Sequence, residues 1–391
     1  MSYSLVEVVD PKTQQEFLEL PVRLYIDEPN WIRPLDSDIE DVFNSKKNKH
    51  FRHGDAIRWI LADEKGLTVG RIAAFIDYET AKTNEQPTGA VGFFECINNQ
   101  TAADILFNLS KQWLIERGME AMDGPVNFGD RDRWWGLLVD GFYEPNYCMG
   151  YHLKYYRNLF EKYGFNVYFR QYTYHRLVNA QNVNPLIWEK AERIGKNPLY
   201  QIKNISKKNL PKFAEDFRTI YNSAWGRYTG VKKITQTHAM ALLNTVKPVL
   251  DERLMYYAYY NNDPVGFLIM LPDLNQIVKH MNGNFNLFGK LKFLYLLKIK
   301  KVCHKALGVI FGITPQHQGK GLEGAMVNEL AKQAFRKDFP YTEIELNWIG
   351  DFNPGMRKVA EQIGGKIRKT HITYRYMFDR SKEVTPPRRV N

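Results

Sequence analysis

Cysteine is scarce in this chain. Cys96, Cys148 and Cys303 are the three in 391 residues, widely spaced and without a CxxC. That excludes a disulfide framework and a cysteine-rich zinc module. It fits reduced, buried thiols and a cytoplasmic setting. No apolar run reaches the roughly 20 residues that span a bilayer. The opening stretch MSYSLVEVVDPKTQQ is acidic and polar and lacks the apolar core of a signal peptide. His50 and His53, and Cys148 and His152, are spaced like ligand pairs, but nothing in the sequence completes a set, so no metal is expected. Acidic residues are missing altogether between Asp273 and Glu323.

What is present is a globular composition, 44% hydrophobic and 14% aromatic, long enough for two domains. The net charge of +11 speaks about partners, not fold. The acid-free interval carries eight lysines, at 279, 290, 292, 298, 300, 301, 305 and 320. Within it, 285–305 mixes lysines with apolar residues and reads as an inserted amphipathic helix. Such a helix packs on its own domain with its lysines in water, lies on an anionic membrane surface, or caps an acidic ligand. No nucleic-acid-binding signature accompanies the charge, which argues against nucleic acid as a partner.

The most informative stretch is 306–335. ALGVIFGIT is a short apolar run that suits a buried strand. Leu322, Met326, Leu330 and Ala334 then form the apolar stripe of a helix. Between them Gly319, Lys320, Gly321 and Gly324 make a turn whose backbone N–H groups, with the helix start, suit an anion. A P-loop is excluded, because Gly321 stands where it needs Ser or Thr. A Rossmann GxGxxG is matched in letters by Gly319, Gly321 and Gly324. Too little chain follows for the rest of a doubly wound sheet.

The run P-x-x-Q-G-K-G at 315–321 resembles the pyrophosphate loop of the GNAT superfamily of acyl-CoA N-acyltransferases, [Q/R]-x-x-G-x-[G/A]. Gln318 and Gly321 match its first two fixed positions, and Glu323 departs from the third. A frame shifted to Gln316, Gly319 and Gly321 fits throughout. The rest of the chain carries the resemblance twice. A hairpin (56–77), strand (90–97), helix (101–118), strand, helix ending FEKYGF and aromatic strands (166–177) have the superfamily's order. Hairpin (252–274), strand, loop, helix, strand (342–349), helix (353–366) and closing strand repeat it. The first copy has CINNQTA where the glycine loop belongs. GFFEC, GPVNF and GLLVDGF resemble in particular a bacterial GNAT-like family. The resemblance implies an α/β fold of two tandem GNAT-like domains, with mixed central sheets flanked by helices. Residues 1–178 would be a degenerate domain without a phosphate loop, 179–380 the acyl-CoA domain and 381–391 a disordered tail.

It also implies a chemistry: transfer of an acetyl or other acyl group from acyl-CoA, as co-substrate, to a small-molecule or peptide amine. Gln318, Gly319, Lys320, Gly321, Leu322, Glu323 and Gly324 would hold the pyrophosphate. A backbone N–H of Gly312 or Ile313 would polarise the thioester, and Asn353 would touch the pantetheine arm or cap a helix. The superfamily's usual proton-donating Tyr is replaced by Ala360, and by Phe160 in the first copy, so another residue such as Tyr374 or Tyr376 donates the proton or the thiolate leaves unassisted. Asp273 and Glu345 are the carboxylates available as a base, unless they are salt-bridged. Two other readings stand beside this one. Tandem GNAT folds resemble Fem-type aminoacyl-tRNA-dependent transferases, and Ala360 allows a module that holds CoA without turnover.

Overall fold

The computed structural model describes residues 2–82, 86–181, 183–226 and 233–385. Residues 386–391 of the expected tail lie outside them. The N-terminal half runs β1 (Ser4–Glu7), α1 (Pro11–Leu24), α2 (Asp36–Phe43), β2 (Gly54–Ala62), β3 (Thr68–Asp77), α3 (Tyr78–Ala81), β4 (Thr88–Cys96), α4 (Gln100–Ile115), β5 (Ala121–Gly124), β6 (Leu137–Asp140), α5 (Tyr156–Tyr163) and β7 (Asn166–Leu177). The C-terminal half runs α6 (Leu186–Gly195), β8 (Tyr200–Asn204), α7 (Leu210–Trp225), α8 (Gln236–Val246), β9 (Met255–Tyr260), β10 (Asp263–Pro272), α9 (Asn275–Val278), α10 (Leu287–Leu294), β11 (Lys305–Ile313), α11 (Leu322–Ala334), β12 (Glu343–Gly350), α12 (Pro354–Gln362) and β13 (Lys366–Met377).

The mixed α/β architecture agrees with the sequence reading. The sheets do not stay separate, however. One 13-stranded sheet runs β1-β2-β3-β4-β5-β13-β7-β12-β11-β10-β9-β8, with β6 on β13. Each half sends its last strand to the other. β13 pairs with β5, and β7 pairs with β12. β7 and β13 also pair with each other along most of their length, which closes the gap between halves. Residues 166–177, read as two strands, are the single 12-residue strand β7. The expected cut after 178 therefore follows a strand that lies in the far half's sheet.

Period-two alternation decides which helices cover which face. Tyr256, Ala258, Leu268 and Met270 join a core with α6 and α11. Tyr257, Tyr259, Phe267 and Ile269 point the other way, into a core with α7 and α8. In the first half Ile72, Ala74 and Ile76 face α4 and α5. Ala73 and Phe75 face away from them, in a core with Val42 of α2. Helix starts and stops follow their sequence signals. Asn99 caps α4 by accepting from Ala102 N at 2.9 Å, and Gly164 ends α5 at φ 109°.

A proline ordinarily breaks a helix interior. α1 continues through Pro21, which cannot bond Phe17 O. Arg71, from β3, donates to that carbonyl instead. A side chain 54 positions away in sequence thus satisfies what the proline leaves open.

Candidate functional site

β11 and β12 run parallel but pair only over Lys305–Gly308 and Glu343–Leu346. Beyond that point β11 follows β10 alone, with its register shifted between Ile269 and Met270. The first half repeats the geometry. β4 and β5 pair only at Thr88–Ala90 and Ala121–Asp123, and β4 shifts register against β3. The C-terminal half therefore holds a V-shaped opening between parallel strands; in the first half Val126 N donates to Val91 O at 2.9 Å, so the opening beside β4 starts beyond that bond.

At the open end of β11 the chain makes a short turn at Pro315–His317, then the glycine loop. Gln318 Nε2 donates back to Ile313 O at 2.8 Å and ties the loop to the strand. Gly319 and Gly321 have φ of 70° and 94°, values that favour glycine. Gly321 is the N-cap of α11, so the first-turn N–H groups of Leu322, Glu323 and Gly324 have no acceptor within the helix. A Cβ on Gly319 would meet nothing within 4 Å, so the space above it is open. Lys320 beside it is exposed.

α6 supplies two more cations. Arg193 donates to Lys320 O at 2.7 Å, and Lys190 pairs with Glu323 at 2.8 Å. A Cβ on Gly324 would lie 3.0 Å from Ile187 O and 2.9 Å from Lys190 Cβ. The third glycine therefore serves close helix packing, and Glu323, the residue that departs from the motif, is neutralised by Lys190. Open space, aligned N–H donors, Arg193 and Lys320 fit a pyrophosphate, with Lys190 offsetting the charge of Glu323.

Gly312 and Ile313 sit on the unpaired edge of β11, opposite Phe267 and Gly266. A Cβ on Gly312 would collide with the Trp225 ring at 2.4 Å, so glycine lets that indole lie on the strand. Trp225 stacks on Phe267 and contacts Tyr221, an aromatic shelf on the face opposite α11. Sequence reading passed over Trp225, because a tryptophan ending an amphipathic helix reads as core.

The two candidate carboxylates are not free. Asp273 is paired with Lys305 at 3.0 Å and accepts from the N–H groups of Tyr147 and Asn275. Glu345 is paired with Lys369 at 2.7 Å, and Lys369 also reaches Asn146 Oδ1. Glu345 and Lys369 are 0% and 1% exposed. Burial pushes Glu345 up, but Lys369 and Lys305 outweigh it and hold the carboxyl below its ordinary range. The salt-bridged reading of these residues is the one the geometry fits.

Tyr374 lies on β13, three strand spacings or ~14 Å from β11. Its hydroxyl donates to Glu161 on α5 at 2.9 Å. The strand exchange gives it a counterpart: Tyr174 on β7 donates to Glu361 on α12 at 3.2 Å and packs with Ala360. A tyrosine hydroxyl from the other half thus reaches α12, where Glu361 accepts from it and Arg357 donates to it at 3.4 Å. Tyr376 packs with Tyr163 and Phe165 of the first half. Asn353 caps α12 by accepting from Met356 N at 3.1 Å.

The tryptophan-rich loop 127–135 crosses from the first half. Arg131 O accepts from Trp348 Nε1 of β12 at 3.0 Å. Burial and then the Asp130 carboxylate push Tyr221 of α7 up. Behind it Asp77 joins His50 and His53, with ligand atoms all within 4.8 Å. Sequence spacing could not supply that third group. His53 Nδ1 lies 2.9 Å and His50 Nδ1 3.3 Å from Asp77, while His50 Nε2 lies 3.7 Å from Asp130.

Asp130 and then Asp77 raise His50 to about 9. A histidine raised above its unfolded value of about 6.5 stabilises the fold fully below that pH and loses its contribution as pH rises through 9. The side chain is part-exposed, so screening leaves on the order of 1–2 kcal/mol. His50→Gln should thus be destabilised at pH 6 and match the wild type above pH 10 in urea unfolding. A difference that persists unchanged at high pH would show that packing, not charge, is responsible.

No family model matches the chain. It is 28% identical over 379 residues to the bacterial ceramide synthase of Caulobacter vibrioides, covering 95% of this chain and 96% of that protein. It is 26% identical over 362 residues to protein YghO of Escherichia coli, covering 92% and 91%. A tandem GNAT protein from the clavulanic acid biosynthesis pathway superposes with a TM-score of 0.56 at 10% identity, over 97% of this chain and 100% of that one. A GCN5-related N-acetyltransferase from Sphaerobacter thermophilus gives 0.51 at 10% identity, over 96% of each. The glucosamine N-acetyltransferase region of a fungal GH3 β-N-acetylglucosaminidase gives 0.57 at 10% identity, and there the chain spans 38% of the longer protein. From β1 to β13, the chain has the fold of the GCN5-related N-acetyltransferases and superposes along its length on a tandem member of that class.

Proposed function

We propose that the protein is an N-acyltransferase that takes an acyl-CoA on the glycine loop of its C-terminal half and passes the acyl group to an amine. The observation that carries this reading is the loop and helix start at the open end of the splayed pair β11 and β12. The pyrophosphate would rest on the N–H groups of 319–324, with Arg193 and Lys320 around it. The pantetheine arm would run into the opening, and the N–H of Gly312 or Ile313 would polarise the thioester carbonyl. The amine nitrogen forms the new bond to the carbonyl carbon while the carbon–sulfur bond breaks. The leaving thiolate ends with the proton that the amine sheds, giving an amide and free CoA. Asp273 and Glu345 take no part as bases in this scheme. Holding and orienting two reactants is worth roughly 7–11 kcal/mol and supplies most of the catalysis.

The relative of Caulobacter vibrioides bears the name ceramide synthase, and a ceramide is a fatty amide of a long-chain amino alcohol. This supports a long-chain amine as acceptor and a fatty acyl chain ahead of acetyl. The part-buried rings of Trp225 and Tyr221, with Trp225 stacked over the buried Phe267, are the apolar surface beside β11 that would receive it. The test is amide formation, followed by mass spectrometry, from acetyl-CoA and long-chain acyl-CoAs against short polar amines and long-chain amino alcohols. Amide from the long-chain pair is the expected result. Transfer only from acetyl-CoA to polar amines would overturn the lipid reading, and CoA binding without transfer to any amine would favour a binding module.

A further inference from the structure

The insertion before β11 exposes what a folded chain normally hides. α10 is capped by Asn286, whose Oδ1 accepts from Gly289 N, and continues as a π-helical turn over Tyr295–Lys300. Its inner side, with Phe285, Phe293, Leu296 and Leu297, packs on the core beneath α11. Its outer side is equally apolar. Leu287, Phe288, Leu291 and Ile299 are 58–78% exposed, and Leu294 and Tyr295 are each 47% exposed. These six recur at three- and four-residue steps and form one ridge.

Lysines flank the ridge. Lys290, Lys292, Lys298, Lys300 and Lys301 are all exposed, and none pairs with a carboxylate among the described residues. The seat is firm: Asp36 N donates to Gly283 O at 2.8 Å, and Arg33 and Asp36 close over Gly283. Among the described residues no helix is long and apolar enough to cross a membrane.

We infer that this ridge docks on the surface of an anionic phospholipid bilayer. Leucine, phenylalanine and isoleucine would enter the acyl boundary while the lysines meet phosphate headgroups. A second copy of the chain is a poor occupant, because a symmetric contact sets five lysines against five. A nucleic acid would use the lysines but leave the ridge in water. The inference stands apart from the acyl-transfer reading. The two meet in one place, since Trp31, Arg33 and Asp36, next to this seat, also wall a cavity at the opening beside β4.

The test is flotation with phosphatidylcholine vesicles, with and without phosphatidylglycerol, across a salt series. Two variants on exposed positions accompany the wild type. They are Lys298→Gln/Lys300→Gln/Lys301→Gln and Phe288→Ser/Ile299→Ser, each checked for unchanged circular dichroism. The wild type should float with anionic vesicles only, and less so as salt rises. The lysine variant should bind on the order of a hundredfold more weakly. The serine variant should lose at least tenfold without changing the salt slope. Equal binding to neutral vesicles, no flotation, or flotation unaffected by both variants would overturn the inference. So would a wild-type dimer that the serine variant converts to monomer, or salt-sensitive tRNA binding without vesicle binding.

Discussion

Replacing Gly319 by Asp should weaken acyl-CoA binding by at least about a hundredfold, while Gly319→Asn costs much less. Position 319 is the clean place to ask the question. A new Cβ there meets nothing within 4 Å, whereas one at Gly321 would press on Arg193 and Lys190. The backbone at 319 is left-handed with φ 70°, a conformation that Asp and Asn both tolerate. The two variants thus share shape and strain and differ in charge. A carboxylate in the open space beside the helix start would compete for the phosphate's place and repel its oxygens. Calorimetry with CoA reads the difference directly. Equal affinities for the two variants would show that steric fit, not anion binding, governs the loop. Undiminished binding in both would remove the loop from the cofactor site.

A second large effect is expected in the buried ion network. Glu345→Leu strands Lys369, which is 1% exposed and left with Asn146 Oδ1 at 3.3 Å. Breaking one side of a buried pair costs about 3–5 kcal/mol, because the other charge stays behind. Glu345→Leu/Lys369→Met removes both charges and should recover most of that loss. Urea unfolding measures both variants. The same double variant answers a chemical question: as a structural pair, Glu345 and Lys369 can be lost together with turnover retained. A double variant that folds but forms no amide would restore Glu345 as a catalytic base.

Much of this architecture is legible in the chain. The alternation of β9 and β10, the glycine stops at Gly164 and Gly364, and the apolar stripe of α11 give the elements their type and ends. What stays hidden depends on partners distant in sequence. β7 and β13 are both 12-residue aromatic strands, and alternation fixes which side of a strand is buried but not which neighbour it takes. The exchange of these two strands was therefore invisible, and with it the pairing of Tyr174 with α12 and Tyr374 with α5. Pro21 reads as a break because Arg71 cannot be seen beside Phe17 O. The sequence leaves Asp273 and Glu345 open between free base and salt-bridged residue, because Lys305 and Lys369 are remote in sequence. The amphipathic insertion was legible as such. The sequence did not tell that its inner side packs while a second apolar side faces outward.

The central claim is that acyl-CoA sits in the C-terminal half with its pyrophosphate on the α11 helix start. A crystal structure of the protein with CoA tests it most directly. The account predicts pyrophosphate density within hydrogen-bond reach of the N–H groups of 319–324, with the pantetheine arm between β11 and β12. Density at the opening beside β4, or on the lysines of the insertion with the glycine loop empty, would contradict it.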